Sequence, residues 1–274
     1  MSPLCFVGLT RTRLLNRVEH IMGMPIGIDV RDADVDPGAL DRAFEWLRLV
    51  DAIFSTYKAD SEISRLNRGE MTLDTVHSDV LEVLERCEEL REETGGYFDI
   101  RASALPPEVP ISSALSTESI DPSGFVKGWS IDRAAKIFDA EGIRNYSINA
   151  GGDIRVRGRA IPESCWRIGI QHPLQHGRVA AVVVSNDLAI ATSGTYARGE
   201  HIIDPHTGRP AGGILSVTIV GPDLATADAY ATAAYAMGEA GPAWTASLTK
   251  YEAMTILADE AVLSTQAFPS AREE

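Results

Sequence analysis

Apolar residues recur along much of the first half of the chain at the spacing of a helix face. From Leu40 the apolar positions return every three or four residues as far as Phe54, and the same spacing appears over residues 76–93. This period places the apolar side chains on one side of an α-helix, so it predicts two amphipathic helices. Residues 24–30, in contrast, form a short β-prone run that predicts a strand.

The second half of the chain is dominated by short β-prone runs that glycines and polar turns separate. These runs are residues 145–150, 153–158, 166–170, 179–184, 187–192, 214–220 and 252–259. Helical patterns cover residues 127–141 and 224–237. Several turns between the runs are too short for the crossover that parallel strands need. We therefore expect an α+β fold with a mixed, largely antiparallel sheet and packed helices.

Changes in composition along the chain predict its boundaries. Residues 101–120 are rich in Ser, Ala and Pro and have no apolar period, which is typical of a loop or a weakly structured crossover. We expect one domain over residues 21–264, or two subdomains with a break near residues 101–120. Residues 1–20 are expected to form a flexible N-terminal segment, and residues 265–274 a polar tail.

The charge balance and the apolar runs exclude several classes of function. The chain has 25 Lys and Arg against 39 Asp and Glu, a net charge of −14. A nucleic-acid-binding protein needs a basic surface for phosphates, so we expect no nucleic-acid partner. No apolar run approaches the ~20 residues that cross a bilayer. Arginines follow the short apolar run at residues 3–9 rather than precede it, unlike a secretory signal. We expect a cytoplasmic protein without direct membrane insertion.

Four segments carry glycines and polar residues in patterns that point to chemistry. They are Thr94 to Asp99, Asp121 to Gly128, Asn149 to Asp153, and the stretch from Thr192 through His201–Gly208 to Thr232. Each also has a plain structural interpretation, as a helix end, a capped helix start, a turn and a piece of scaffold respectively. The order and coexistence of the four segments favour a functional site over four separate structural features.

Two of these segments suggest specific ligands. Lys127 and the free N–H groups at a helix start form a natural site for an anion. Asp228 and Thr232 are four residues apart in a predicted helix, so their oxygen atoms share one face. A carboxylate and a hydroxyl suit a hard cation such as Mg²⁺, which keeps waters for a diphosphate.

In this order the segments resemble the flavin transferases of the ApbE type, the FAD:protein FMN transferases. The resemblance runs from Met22 to Gly238 and also includes Phe54–Tyr57 and Ser61–Asn67. It implies a T-fold-like architecture that binds FAD in a cleft and a Mg²⁺-dependent transfer of FMN. The implied partner is an acceptor flavoprotein, itself free or membrane-associated, whose Thr or Ser forms a phosphoester with FMN as AMP leaves.

The resemblance also implies roles for individual residues. The positions that match contacts with the flavin dinucleotide are Met22, Tyr57, Tyr97, Phe98, Asp99, Asp121 and Lys127. Asp228 and Thr232 match metal ligands through their side chains, and Gly124 matches one through its backbone carbonyl. His201 matches a catalytic base, which would accept the proton of the acceptor hydroxyl.

The chain departs from the family pattern at two places. Only the 21 residues 100–120 separate Asp99 from Asp121, where the family usually has a longer segment, and Met24 stands where Thr commonly follows Met-Gly. Two alternatives stay open. An FAD pyrophosphatase would use water in place of the acceptor hydroxyl, and an FAD-binding carrier protein would hold the nucleotide without turnover.

Overall fold

The β-prone runs form the strands of the fold in the computed structural model, which describes residues 15–102, 119–161, 164–175, 177–194 and 202–271. The strands are β1 (Leu15–Ile21), β2 (Met24–Val30), β3 (Tyr146–Ala150), β4 (Asp153–Arg157), β5 (Trp166–Gln171), β6 (Val179–Ser185), β7 (Asp187–Gly194), β8 (Ile203–Asp204), β9 (Arg209–Pro210), β10 (Ile214–Gly221), β11 (Glu252–Leu257) and β12 (Val262–Ser264). Eight strands form one sheet in the order β1-β2-β3-β4-β7-β10-β11-β12. Every pairing among them is antiparallel. The remaining strands form two hairpins, β5–β6 and β8–β9.

Six α-helices accompany these strands in the described parts of the chain. They are α1 (Gly38–Phe54), α2 (Glu62–Asn67), α3 (Ser78–Glu93), α4 (Ser123–Ala140), α5 (Leu224–Ala236) and α6 (Gly241–Thr245). The expected α+β class is confirmed. Helix α4 begins four residues before its predicted start, because Pro122 accepts the first helical N–H bonds and Asp121 Oδ1 accepts from the N–H of Ser123. None of the described helices is both long and apolar enough to cross a membrane.

Strand β7 shows how the sheet separates two apolar layers. Ala189 and Ala191 join the core cluster that contains residues of α1, α4 and α5. Ile190, between them, joins a cluster with residues of the β5–β6 hairpin. Since successive side chains of a strand point to opposite faces, the three helices cover one face of the sheet and the hairpin packs on the other. A further cluster joins α3 to α4 and α5 and includes Phe98.

Helices α4 and α5 approach each other closely where small residues meet. A Cβ atom on Gly128 would lie 2.4 Å from the carbonyl oxygen of Leu224 and 2.8 Å from Cα of Ala225. Helix α5 buries most of its surface through alanines at positions 225, 227, 229, 231, 233, 234 and 236. This close crossing fixes the places at which polar side chains of the two helices can touch.

The structure corrects the predicted ends of the domain. Residues 15–20, assigned above to a flexible segment, belong to β1, which pairs with β2 from Leu15 opposite Val30 to Ile21 opposite Met24. In the predicted polar tail, Phe268 is buried and the N–H of Ala271 donates to Val182. Both segments are too polar to show a clear hydrophobic period. Each nevertheless forms backbone hydrogen bonds with a neighbouring strand. Residues 1–14, 103–118 and 272–274 lie outside the described residues, as does most of the predicted break near 101–120.

We expect the substitution Gly128→Ala to destabilise the chain by about 2 kcal/mol or more, because the new methyl group would force α4 away from α5. The control is Gly212→Ala, where a methyl group meets no atom within 4 Å. Denaturant unfolding of both variants measures the effect. Equal stability of the two variants would show that the helices do not meet at Gly128.

Candidate functional site

Lys127, near the start of α4, places its ammonium group between two buried carboxylates. Its Nζ lies 2.5 Å from Oδ2 of Asp153 and 3.4 Å from Oδ1 of Asp228. The side chains of Asp153 and Asp228 are 3% and 4% exposed. A carboxylate buried to this degree is costly unless a counter-charge faces it. With one lysine and two aspartates, the group has one more acid than it has cations to pair with.

Three parts of the fold position this charged group. The close crossing of the helices brings Asp228 of α5 to α4, where its Oδ2 accepts from the N–H of Gly128 at 3.3 Å. Asp153 begins β4, and its Oδ1 accepts from the N–H of Thr192 in β7 at 3.0 Å. The hydroxyl of Thr192 in turn lies 2.9 Å from that of Thr218 in β10. The group therefore joins two helices to the centre of the sheet.

The charges of this group act on the pKa values of Asp228 and Lys127. Burial raises the pKa of Asp228, Lys127 opposes that rise, and the charge of Asp153 adds to it. Burial alone would lower the pKa of Lys127, but the two carboxylates outweigh it and raise that pKa. Lys127 is therefore a fixed cation. It favours the ionised form of Asp228, but burial outweighs it and the pKa of Asp228 stays raised, at about 7.

The three predicted metal ligands lie together at the same helix crossing. A Cβ atom on Gly124 would lie 3.5 Å from Oγ1 of Thr232 and 3.4 Å from Cε2 of Phe98, so Cα of Gly124 lies beside the threonine hydroxyl. Asp228 precedes Thr232 by four residues, about one turn of α5. Among the described residues, no three or more His, Cys, Asp or Glu side chains lie close enough together to hold a metal ion by themselves. A cation at this crossing would depend on one carboxylate with hydroxyl and carbonyl oxygens, a donor set that suits Mg²⁺.

The predicted aromatic segment reaches the fourth segment through a ring contact. After α3 ends at Thr94, Gly95 and Gly96 adopt φ values of 61° and 86°, which turn the chain sharply. The ring of Tyr97, which follows, packs edge-on to that of His206, with 4.4 Å between the ring centroids. Phe98 is buried, and its ring faces Gly124. The turn thus directs neighbouring rings to two different segments.

The other predicted flavin contacts lie around this core in different surroundings. Asp99 pairs with Arg91 at 3.2 Å, and Asp121 is exposed at the start of α4. Met22 occupies the turn between β1 and β2, half-buried against the same two apolar clusters as Tyr97. Tyr57, on the turn after α1, is 96% exposed. Its packing therefore does not join it to the other predicted contacts among the described residues.

One predicted site residue lies outside the described residues, and two residues of the site are new. His201, the predicted base, is outside the described ranges, which resume at Ile202. Asp153 and His206 were part of the quoted segments but were not predicted as site residues. An acid placed directly after the Gly151–Gly152 turn was a signal for Asp153, whereas nothing in the sequence indicated the ring contact of His206.

A further aspartate, Asp132, fixes the start of α5, the helix that carries Asp228 and Thr232. Oδ2 of Asp132, in α4, accepts from the N–H groups of Leu224 and Ala225, both at 2.8 Å. These are among the first N–H groups of α5, which have no partner within the helix. Burial raises the pKa of Asp132 to about 6, although the N–H of Ala225 and the charge of Arg155 act to lower it.

Comparisons with known proteins place the chain in a family. A family model described as the ApbE family matches residues 22–107 and 108–255. A protein of Vibrio cholerae named FAD:protein FMN transferase is 32% identical over 238 residues, which cover 70% of this chain and 71% of that protein. A protein of Haemophilus influenzae with the same name is 29% identical over 244 residues, 70% of each chain.

Solved structures show the same fold. The flavin transferase ApbE from Vibrio cholerae matches with a TM-score of 0.80 and 27% identity, over 93% of this chain and 98% of that chain. The ApbE protein from Thermotoga maritima matches with a TM-score of 0.84, over 95% of this chain and all of that chain. At 24% identity, this second likeness concerns the fold alone.

The raised pKa of Asp132 predicts a pH dependence of stability. An aspartate in the unfolded chain titrates near pH ~3.9, about two units below the folded value. Between these two pH values the folded chain retains a proton that the unfolded chain has released, so the free energy of unfolding falls as the pH rises. Relative to Asp132→Asn, the wild type should lose up to about 3 kcal/mol between pH 4 and pH 7. Denaturant unfolding of both chains at several pH values measures this difference, and a constant difference would contradict the assignment.

Proposed function

The chain belongs to the ApbE family, and we propose that it transfers the FMN part of FAD to a hydroxyl group of an acceptor flavoprotein. In this reaction a Thr or Ser oxygen of the acceptor attacks the phosphorus atom of the FMN half. The bond from that phosphorus to the bridging oxygen of the diphosphate breaks, and AMP leaves. The products are a protein with phosphoester-linked FMN and free AMP.

The observation that supports this proposal best is the contact among all four polar segments. Lys127 of the second segment meets Asp153 of the third and Asp228 of the fourth. The first segment meets the second through Phe98 and Gly124. It also meets the fourth through the ring contact of Tyr97. Residues more than 100 positions apart in the sequence, such as Tyr97 and His206, thus share one site, as a dinucleotide with two ends would require.

In this proposal Asp228, Thr232 and the carbonyl of Gly124 hold Mg²⁺. The donor set fits, because Asp228 is buried at the helix crossing and Oγ1 of Thr232, one turn along the same helix, lies beside Gly124. Mg²⁺ bound there would neutralise charge on the diphosphate, which otherwise repels an incoming oxygen nucleophile.

The protein's own side chains would bind FAD and move one proton. We propose that Lys127 binds a phosphate group of FAD and that Asp153 positions the ammonium group of Lys127. Tyr97, Met22 and the exposed Tyr57 would offer aromatic and thioether surface to the rings of FAD, and the buried Phe98 would support them from below. The two outer acids, Asp99 and Asp121, would offer hydrogen-bond acceptors. His201 would accept the proton of the attacking hydroxyl, which by itself is a weak nucleophile.

We expect Asp228→Asn to reduce FMN transfer by at least about 100-fold, because an amide is a much weaker ligand for Mg²⁺ than a carboxylate. Thr232→Val should act in the same direction through loss of its hydroxyl oxygen. The purified chain is incubated with FAD, Mg²⁺ and proteins from an extract of the source cells. Covalent flavin is then detected by its fluorescence after denaturing electrophoresis, and AMP by chromatography.

The matched control for these variants is Asp259→Asn. Asp259 is exposed, and its Oδ1 accepts only a turn N–H, from Ala261, which an asparagine can also satisfy. Full transfer by Asp228→Asn with an unchanged fold would overturn the metal assignment. AMP without any flavin-labelled protein would indicate a pyrophosphatase, and neither product would indicate a carrier.

A further inference from the structure

We propose that His206 is a positioning residue for FAD, which acts by fixing the ring of Tyr97. This inference rests on the proposed function, in which Tyr97 contacts the flavin dinucleotide. It starts from the ring contact between the first and fourth segments. The centroids of the two rings are 4.4 Å apart and their planes form an angle of 61°. This edge-to-face arrangement is a favoured geometry for aromatic pairs.

A rigid turn holds the imidazole in place. Asp204 and Arg209 pair across the β8–β9 hairpin, and His206 lies in the turn between them. Oδ1 of Asp204 accepts from the N–H of His206 at 2.9 Å, and its Oδ2 accepts from the hydroxyl of Thr207 at 2.9 Å. The carbonyl of Asp204 also accepts from the N–H of Gly208 at 2.8 Å. The backbone that carries His206 is therefore fixed independently of Tyr97.

The other ring of the pair, that of Tyr97, is exposed enough to need support from the imidazole. The side chain of Tyr97 is half-buried, and the residues before it, Gly95 and Gly96, have no side chains to pack against its ring. A Cβ atom on Gly96 would lie 3.5 Å from Cε1 of His206. The imidazole thus covers the space beside Gly96 as well as the edge of the Tyr97 ring.

The position of the ring pair connects it to the proposed metal ligands. Phe98, the residue after Tyr97, has its ring 3.4 Å from the site of a Cβ on Gly124, next to Thr232. Tyr97 is therefore held in two places. The packing of Phe98 holds its backbone, and the imidazole of His206 holds its ring. Without the imidazole, Tyr97 would have to be ordered when FAD binds, and that ordering reduces affinity.

The test is a set of equilibrium FAD-binding measurements on the full chain in Mg²⁺, without an acceptor protein. The variants are His206→Ala, His206→Phe, Tyr97→Ala and the double variant His206→Ala/Tyr97→Ala. The matched control is His77→Asn, because His77 caps α3 through Nδ1 and asparagine can also cap a helix. Thermal unfolding of each variant checks the fold. Steady-state AMP release, measured separately with the cell extract as acceptor, separates KM from kcat.

We expect His206→Ala to raise the Kd and the KM for FAD about fivefold, in the range expected for loss of one aromatic pair, and to leave kcat within about twofold. His206→Phe should restore binding, since a phenyl ring keeps the edge-to-face packing. In a chain that already carries Tyr97→Ala, adding His206→Ala should change the Kd for FAD by less than about twofold.

Other outcomes would overturn the inference. If His206→Ala binds FAD as the wild type does, or if His206→Phe binds as poorly as His206→Ala, His206 does not act by ring packing. An equal loss from His206→Ala in both backgrounds would show that it does not act through Tyr97. If the wild type itself does not bind FAD, the proposed function fails, and the role of His206 fails with it. If the wild type binds FAD and one of the outcomes above is found, only the role of His206 fails.

Discussion

The ion pairs of Lys127 with Asp153 and Asp228 are the interaction on which the rest of the site depends. Two carboxylates that are almost completely buried cannot remain ionised near each other without a cation between them. Lys127 supplies that cation, and the pKa of Asp228 still remains raised, to about 7, because burial and the charge of Asp153 outweigh the lysine. Under the proposed function, Mg²⁺ held beside this group would present cationic charge to a diphosphate. The same three residues also connect two helices with the central strands, so that charge and architecture depend on each other.

The geometry of this group follows from helix packing. Alanines along α5 and the absence of a side chain at Gly128 allow α4 to approach until Gly128 donates to Asp228. Asp132 then fixes the start of α5 from the neighbouring helix by accepting two of its free N–H groups. Because a helix is rigid over two turns, this cap and the crossing together fix the positions of Asp228 and Thr232. A substitution that separates the helices would therefore affect both stability and the candidate metal site.

The sequence predicted the elements whose signal is local. Strand β2 spans residues 24–30 as predicted, and helix α3 lies within the predicted residues 76–93, because alternation and helical period are properties of neighbouring residues. Strand β1 was missed, since its residues alternate between half-buried and exposed positions at the edge of the sheet and only Ile21 at its end is buried. The segments that form the site were recognised by their residue types and order. The partnership of Lys127 with Asp153 could not be predicted, because it depends on contacts between residues that are distant in sequence.

The most direct test of this account is the free energy of unfolding at pH 7 of Lys127→Met, alone and combined with Asp153→Asn. Removal of the lysine alone leaves two unpaired buried carboxylates, and we expect a loss of about 3–5 kcal/mol. Neutralising Asp153 in the same chain removes one of these charges and should restore about 2 kcal/mol. If Lys127→Met is as stable as the wild type, or if the double variant is no more stable than Lys127→Met, Lys127 does not hold the two aspartates together.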